Sequence, residues 1–311
     1  MGYDEKEGEI MYERLSGVEF FRVIDSEKEA RDCVWKTRFG EKGFECRSCG
    51  HKDFFPHHTR PEVRTCKKCR IETRLRAGTI FESSKLPLLL WLRAIHLQMQ
   101  GKRGISALEL KRILKMKSYQ TALTLLHKIR AALKDRDERY KLKGLVELDG
   151  AYFGQKKTRN QAPVLVAVES KDWVDEKGNT KPKAGFAKVA LAPETRETIQ
   201  PFVNQAMEKG SWVNTDGKQS YWKLENVEVD YQTTQNLIRL DGWLPWVHKF
   251  ISNAKTWLLG THHGIRVKYL DRYLAEYTYR FNRRHDPDSL FHRALKACTL
   301  AQPRPAYVLF G

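Results

Sequence analysis

The sequence predicts a multidomain α+β protein that contains a cysteine-rich ribbon, a helical module and a mixed α/β domain. Two C-x2-C pairs lie in the N-terminal third of the chain, amphipathic helical patterns follow them, and β-like runs then alternate with helical patterns. A chain of 311 residues is long enough for two or three such domains with at least one sizeable core.

Changes in composition divide the chain into five predicted segments. These are an N-terminal segment (1–41), a ribbon (42–76), a helical module (83–142), an α/β domain (143–295) and a C-terminal tail (296–311). No apolar run approaches the roughly 20 residues that a membrane helix needs, and the start "MGYDEKEGEI" is too acidic for a signal peptide. We therefore expect a cytoplasmic protein that does not contact a membrane.

Positive charge is concentrated in one part of the chain. The net charge is +18, and residues 42–144 hold 25 Lys and Arg against 9 Asp and Glu. This region lacks the low complexity of a disordered tail, so the excess indicates a folded surface for a polyanion, most often a nucleic acid. A surface that is charged for solubility is the alternative.

The ribbon is predicted from the spacing of four cysteines. Cys46, Cys49, Cys66 and Cys69 form C-x2-C, sixteen residues, C-x2-C. This spacing is typical of a structural Zn²⁺ site that four thiolates close completely. A disulfide interpretation is weak for an intracellular protein, because cytosolic thiols stay reduced.

Three helical patterns follow the ribbon. The first covers residues 83–100 and has one apolar face, and the second begins at a capping box formed by Ser106 and Glu109. The apolar side of the second helix is predicted to comprise Leu108, Leu110, Ile113 and Leu114.

The break between the second and third helices is short, at Lys117 and Ser118. Such a break is typical of a helix-turn-helix whose second helix enters a DNA major groove. Side chains at the start of that helix and basic residues beside it would contact base edges and phosphates. These candidates are Lys115, Lys117, Gln120, Thr121 and Lys128. A plain helical hairpin that packs on its neighbours is the alternative.

An aspartate follows an apolar run at the start of the α/β domain. In "KGLVELDGAYFG" the run reads as a buried strand between Gly144 and Gly150, with Asp149 at its last position. A carboxylate there is desolvated at a cost unless a positive partner compensates it. Two interpretations remain open, a turn residue beside Gly150 or a metal ligand at the end of a strand.

Asp216 recurs in the same setting. Two β-like runs and a helical pattern lead to "SWVNTDG", where Asp216 follows an apolar strand and precedes Gly217. Aspartates at the ends of adjacent strands can share divalent cations such as Mg²⁺, which prefer oxygen ligands. Two such ions about 4 Å apart activate an attacking oxygen and stabilise the leaving oxygen of a phosphodiester. The recurrence favours the metal-ligand interpretation of both aspartates.

Taken in order, these features resemble those of bacterial insertion-sequence transposases of the IS1595 family. Besides the ribbon and the helix-turn-helix, the resemblance rests on "ELDGAYFG", "NTDGKQSY", "LPWVHKFISNAKTWLLGTHHG" and "YLAEYTYRFNRR", and it spans roughly residues 20–300. It implies an RNase H-like catalytic domain that cleaves DNA and transfers strands with Mg²⁺ or Mn²⁺. Asp149 and Asp216 would be the first two members of its catalytic triad.

The third member departs from the acidic pattern. Related transposases place a glutamate on a helix seven residues before a lysine, and here the residue seven before Lys255 is His248. Another subset uses an asparagine and a lysine, which would be Asn253 and Lys255. Helix geometry favours His248, because it shares a face with Lys255 whereas Asn253 lies about 140° around the helix from His248. Asn253 remains an alternative, and Lys255 would contact a DNA phosphate.

Glu276 is a further candidate for the missing carboxylate. In "AEYTYRFNRR" it lies one helical turn before Arg280, and an intrahelical salt bridge explains this spacing equally well. The resemblance makes the segment part of a basic surface, with Arg280, Arg283 and Arg284 as expected DNA contacts.

The resemblance implies a DDE-type transposase, a polynucleotidyl transferase that binds the terminal inverted repeats of its element and joins them to target DNA. Such an enzyme would act on double-stranded DNA as a homodimer or larger assembly, in the bacterial cytoplasm and at the nucleoid. Because the third position is not acidic, a catalytically inactive DNA-binding protein or regulator derived from a transposase is the main alternative. A metal-dependent nuclease that cuts DNA without joining it is another.

Overall fold

The computed structural model describes residues 12, 14–40, 44–155, 160–174, 178–231 and 243–310. They form two compact units. The first unit combines Met1–Arg136 with His285–Gly311, and the second unit is Asp137–Arg284. None of the described helices is long and apolar enough to cross a membrane.

The first unit begins with two capped helices and a ribbon. Helices α1 (Gly17–Val23) and α2 (Glu27–Phe39) each start at a serine in a capping box. Strands β1 (Phe54–Pro56), β2 (Val63–Cys66) and β3 (Glu72–Arg74) then form an antiparallel sheet in the order β1-β2-β3. This sheet lies within the segment where the cysteine spacing predicts a ribbon.

Three helices follow the ribbon, as the periodicity predicts. They are α3 (Leu88–Gln100), α4 (Ala107–Ile113) and α5 (Tyr119–Asp137). Ser106 Oγ accepts a hydrogen bond from the backbone N–H of Glu109 at 3.2 Å, as expected at the start of α4. The predicted apolar side of α4 is wrong at Leu108 and Ile113, which are 46% and 51% exposed. The helix has only seven residues, and its buried side consists of Ala107 and Leu110.

The second unit is built on a five-stranded sheet in the order β6-β5-β4-β7-β8. Strands β4 (Leu145–Gln155), β5 (Asn160–Val174) and β6 (Thr180–Leu191) are antiparallel neighbours. Helix α6 (Arg196–Ala206) leads to β7 (Ser211–Thr215), which lies parallel to β4, and β8 (Val227–Tyr231) lies parallel to β7. Of the β-like runs of the sequence, 163–170 lies inside β5, whereas 185–193 covers the second half of β6 and ends two residues beyond it.

Helices cover both faces of this sheet. Helices α7 (Pro245–His262) and α8 (Val267–Asn282) pack on one face, where Val166 and Val168 meet Phe250 and Leu274. Helix α6 packs on the other face, where Leu148 belongs to the same core as α6. Burial on both faces explains why β5 contains a continuous apolar run at residues 162–168.

The last two helices return to the first unit. They are α9 (Leu290–Leu300) and α10 (Ala306–Phe310). Helix α9 packs on α2 and α3, and the ring centre of Phe291 lies 4.8 Å from that of Phe20. The structure therefore differs from the predicted α/β domain 143–295 and tail 296–311, because the apolar face of α9 is buried in the core of the first unit.

Candidate active site

Three carboxylates converge in the second unit. Asp149 lies on β4, Glu194 follows β6, and Asp216 follows β7. One oxygen atom from each residue lies within 4.8 Å of the oxygens of the other two, and all three residues are half-buried. The structure thus joins Glu194 to the two aspartates that the sequence predicts.

Asp149 lies inside a strand and not at its end. Both Asp149 and Gly150 stay in the antiparallel ladder with β5, so the turn interpretation is wrong. The parallel pairing of β4 with β7 ends earlier, at Glu147 and Asn214. Asp149 and Asp216 therefore lie just beyond the paired carboxyl ends of two parallel strands, which is where open α/β sheets bind ligands.

Gly150 makes room for the third carboxylate. A Cβ atom at position 150 would lie 2.6 Å from Cδ of Glu194 and 2.7 Å from its Oε2. Carbon and oxygen atoms that are not bonded do not approach so closely without strong repulsion. The sequence suggests that Gly150 is a turn residue. In the structure the reason for a glycine is instead the close approach of Glu194 to β4.

Two side chains hold Glu194 in place. The ammonium group of Lys218 donates to Oε1 at 2.9 Å and to Oε2 at 2.8 Å. The hydroxyl of the buried Tyr221 also donates to Oε1. Lys218 Nζ lies 2.9 Å from Oδ2 of Asp216 as well, so one ammonium group bridges two of the three carboxylates.

The sequence interpretation missed Glu194, although a signal was available. Glu194 follows the apolar end of β6 in "VALAPETRE", as Asp149 and Asp216 follow apolar runs of the same domain. It directly precedes Thr195, the N-cap of α6. Acidic residues are common at helix starts, so the position resembles an ordinary capping segment.

Electrostatics make the cluster suited to a cation. Burial raises the pKa of Asp149, and the negative charges of Asp216 and Glu194 raise it further. Burial opposes protonation of Lys218, yet its hydrogen bonds to Glu194 and Asp216 raise its pKa above the ordinary value. Half-buried carboxylate oxygens that repel one another fit a hard divalent cation such as Mg²⁺ or Mn²⁺.

His248 lies beside the cluster. Its Nε2 atom is 3.3 Å from Oδ2 of Asp149, and its side chain is 58% exposed. Asn253 and Lys255 lie further along α7 on its exposed surface. The ammonium of Lys255 lies 5.4 Å from the ring centre of Phe153. Of these three candidates on α7, His248 is the one for which the structure describes a contact with a cluster carboxylate.

Glu276 does not belong to the carboxylate cluster in the described part of the chain. It is fully buried in α8, and its Oε1 atom lies 3.9 Å from Arg280 Nη1. The intrahelical ion pair expected from the spacing is therefore present.

Glu147 connects the strand of Asp149 to the helix of His248. It is 2% exposed, and its Oε2 atom accepts hydrogen bonds from the backbone N–H groups of Trp246 at 2.7 Å and Val247 at 2.9 Å. Burial raises the pKa of Glu147 to about 7, against the effect of these two hydrogen bonds. The contact holds the first turn of α7 against β4 and so places His248 near Asp149.

The three arginines expected to contact DNA have partners inside the second unit. Arg283 is 10% exposed and lies 2.6 Å from Oδ1 of Asp137. Arg284 donates to the carbonyl oxygen of Phe281 at 2.7 Å, and Arg280 is 11% exposed in its ion pair. This placement favours a structural role for these residues, because burial leaves little guanidinium surface for a phosphate.

The DNA contacts predicted in the first unit surround the turn between α4 and α5. Lys115, Lys117 and Gln120 are exposed, and Thr121 is half-buried. Lys115 has a left-handed backbone conformation with φ of 49°. Lys128 is half-buried, and burial lowers its pKa. The first three side chains are therefore open to a partner, whereas Lys128 is partly covered.

The four cysteines of the ribbon converge on one point. Their sulfur atoms lie within 4.8 Å of one another, with 3.4 Å between Cys46 and Cys69 and 3.6 Å between Cys49 and Cys66. Thiolates around a tetrahedral Zn²⁺ lie about 3.8 Å apart, given Zn–S bonds of about 2.3 Å. Backbone N–H groups of Ser48 and Cys49 lower the pKa of the Cys46 thiol to about 6. The site fits a thiophilic metal ion such as Zn²⁺.

The carboxylate cluster lies in a segment that matches a known family. Residues 141–282 match the model of the ISXO2-like transposase domain. No curated protein and no solved structure matches the chain. Over residues 141–282 the match confirms the resemblance drawn from the motifs, and this segment of the chain is similar to the ISXO2-like transposase domain.

Proposed function

We propose that the protein is a DNA transposase whose second unit cleaves DNA and transfers strands by metal-dependent phosphoryl transfer. The observation that carries this proposal is the convergence of Asp149, Glu194 and Asp216. All three lie within residues 141–282, the segment that matches the transposase domain. Asp149 lies within β4, whereas Glu194 and Asp216 follow β6 and β7, so the fold has to bring the three carboxylates together. A cluster of this kind fits an oxygen-ligated cation better than a solvated acidic surface.

We further propose that the second unit has an RNase H-like fold. Three antiparallel strands, a crossover helix and two parallel strands in the order β6-β5-β4-β7-β8 support this assignment. Asp149 lies on the central strand and Asp216 follows its parallel neighbour. This arrangement suits a sheet that carries its reactive groups at one end.

Asp149, Glu194 and Asp216 would hold Mg²⁺ or Mn²⁺, and two ions fit the proposed reaction. Bound divalent cations supply charge neutralisation at a phosphodiester and activation of the attacking oxygen. Tyr221 fixes Glu194, and His248 positions or supplements Asp149. Lys255, exposed on the same helix, would contact a DNA phosphate. Phosphoryl transfer depends mainly on such positioning and charge stabilisation.

The first unit would bind the ends of the element. Its ribbon would hold structural Zn²⁺ through four cysteines, and the turn between α4 and α5 presents Lys115, Lys117 and Gln120. Contacts from such side chains position a protein on double-stranded DNA. Assembly of two or more copies on paired DNA ends in the bacterial cytoplasm is part of the proposal.

A catalytically inactive DNA-binding protein is the second candidate function. The observation in its favour is that α7 contains no acidic residue, whereas related enzymes carry a glutamate on this helix. The two candidates for that position are His248 and Asn253, and neither has a carboxylate. Glu194 weakens this argument, because it supplies a third carboxylate from another part of the domain.

A cleavage and strand-transfer assay tests the proposal. Labelled element-end DNA is incubated with Mg²⁺ or Mn²⁺ and with wild type, Asp149→Asn, Glu194→Gln, His248→Ala or Asn253→Ala. We expect joined products from wild type and none from Asp149→Asn or Glu194→Gln. Asp230→Asn is the matched control. Asp230 is an exposed residue of β8, so this variant should keep full activity.

Each alternative gives a different result in this assay. DNA binding without cleavage under either metal would support the inactive DNA-binding protein. Cleavage without joined products would indicate a nuclease. If His248→Ala or Asn253→Ala also loses activity, that residue completes the site, and full activity of Glu194→Gln would exclude Glu194 from it.

A further inference from the structure

We propose that Lys218 is an internal counter-ion of the carboxylate cluster. In the metal-free protein its ammonium group contacts the oxygens that bind the metal, and it must leave them before a divalent cation binds. Lys218 would thereby set the metal affinity of the site. This inference rests on the proposed function, because it takes the cluster to be a cation site.

The contacts of Lys218 cover much of the cluster. Its Nζ atom lies within 2.9 Å of both oxygens of Glu194 and of Oδ2 of Asp216. Its backbone N–H also donates to Oδ1 of Asp216 at 3.3 Å. The ammonium therefore interacts with two of the three carboxylates at hydrogen-bond distance and offsets their mutual repulsion.

The same contacts compete with a divalent cation for these oxygens. Mg²⁺ requires oxygen ligands at about 2.0–2.1 Å in a near-octahedral arrangement. An ion bound to Glu194 and Asp216 would therefore share its ligand atoms with a neighbouring ammonium group of the same sign of charge. Both cations cannot hold these oxygens favourably, so one has to leave.

Lys218 can leave without dismantling the site. Its side chain is 50% exposed, so the flexible stem has solvent into which it can swing. Tyr221 still donates to Glu194 after that movement, and the backbone N–H of Gly150 still donates to Oδ1 of Asp149 at 2.8 Å. The carboxylates therefore keep their positions while their counter-ion changes.

A Mn²⁺ titration of the full-length protein tests this proposal. Free Mn²⁺ is measured by electron paramagnetic resonance for wild type, Lys218→Met and Lys171→Met. We expect Lys218→Met to bind Mn²⁺ at least tenfold more tightly than wild type, because no ammonium has to be displaced. Its metal-free form should also melt at a lower temperature than metal-free wild type, because the carboxylates then lack a counter-ion.

Lys171 is the matched control. Its side chain is 47% exposed, and its Nζ atom lies 2.7 Å from Oε2 of Glu169. Both residues lie on β5 of the same unit, next to the edge strand β6. Lys171→Met removes an equally exposed ion-paired lysine away from the cluster, and we expect unchanged Mn²⁺ affinity. An equal gain in both variants would assign the effect to net charge and overturn the proposal.

Other outcomes separate this inference from the proposed function. One set of results would overturn the role of Lys218 alone. In it, wild type binds Mn²⁺, Asp149→Asn does not, and the Mn²⁺ affinity of Lys218→Met is within twofold of wild type or weaker. Absence of Mn²⁺ binding in every variant would overturn the metal site and the inference with it. If Lys218→Met does not fold, Lys218→Gln retains a hydrogen-bonding group without the charge, and the same gain in affinity is expected.

Discussion

At the scale of single residues, the geometry of the cluster depends on Gly150. The position needs no left-handed backbone, because Gly150 lies in the regular ladder of β4 and β5. The absence of a side chain matters there because the carboxylate of Glu194 occupies the space that a Cβ atom would take. The requirement for glycine is therefore one of space and not of conformation.

Gly150→Ala should displace Glu194 and weaken the site. The backbone can accept alanine, so we expect the unfolding free energy to change by less than about 2 kcal/mol, within the usual range of overpacking. Mn²⁺ affinity and strand transfer should each fall at least tenfold, because the third carboxylate moves away from the two aspartates. Titration with Mn²⁺ and urea unfolding measure the two effects separately.

Gly260→Ala is the control for this substitution. A Cβ atom at Gly260, on α7, would meet no heavy atom within 4 Å, so we expect wild-type affinity and equal or slightly greater stability. Wild-type Mn²⁺ affinity in Gly150→Ala would mean that Glu194 is dispensable as a ligand.

At the scale of elements, β4 and α7 are joined by a cap that comes from outside the helix. The N-cap residue of α7, Leu244, has no side-chain acceptor, and Pro245 has no N–H. Glu147 accepts the next two backbone N–H groups instead. The strand that carries Asp149 thus supplies the missing cap of the helix that carries His248.

Glu147→Ala should destabilise the protein by about 1–2 kcal/mol, the usual cost of losing a helix cap. Two backbone N–H groups would lose their acceptor, so amide exchange in the first turn of α7 should accelerate. Urea unfolding and hydrogen exchange measure both effects. Glu147→Gln keeps an acceptor oxygen and should recover part of the stability. Unchanged exchange in α7 after Glu147→Ala would show that packing alone holds the helix.

Local sequence patterns predicted where helices and strands occur better than they predicted where these elements end and which residues they contact. The apolar residues of α3 are buried as expected, because a strong helical period determines which face enters a core. Asp149 appeared to end a strand because Gly150 resembles a turn residue, whereas pairing with β5 carries β4 on to Gln155. Glu194 was missed because its contact with β4 joins residues far apart in sequence.

At the scale of the whole molecule, each unit has its own core and a different ligand chemistry. The first unit holds the four-cysteine cluster, and the second holds the carboxylate cluster. Amphipathic patterns do not state which core a helix joins, so the return of α9 to the first unit could not be predicted from its sequence. The tail predicted after residue 295 is for the same reason part of that unit.

Removal of Zn²⁺ should therefore act on the first unit. A small ribbon of three short strands buries few apolar side chains, so we expect its stability to depend on the metal ion that its four cysteines would hold. Chelation of Zn²⁺ from the full chain should accelerate amide exchange throughout residues 44–76, while β4 and β5 keep their protection. Hydrogen exchange with mass spectrometry measures both regions in one sample.

Cysteine variants show whether this response belongs to the predicted site. Cys49→Ser should lose bound Zn²⁺ and exchange like the chelated protein, because three thiolates and a hydroxyl hold Zn²⁺ less tightly than four thiolates. Cys33→Ala removes a buried cysteine of α2 that is outside the cluster, and its Zn²⁺ content should remain that of wild type. Retained protection of residues 44–76 after Zn²⁺ loss would mean that Phe44 and Phe54 hold the ribbon without metal. Equal loss of protection in β5 would instead mean that the two units unfold together.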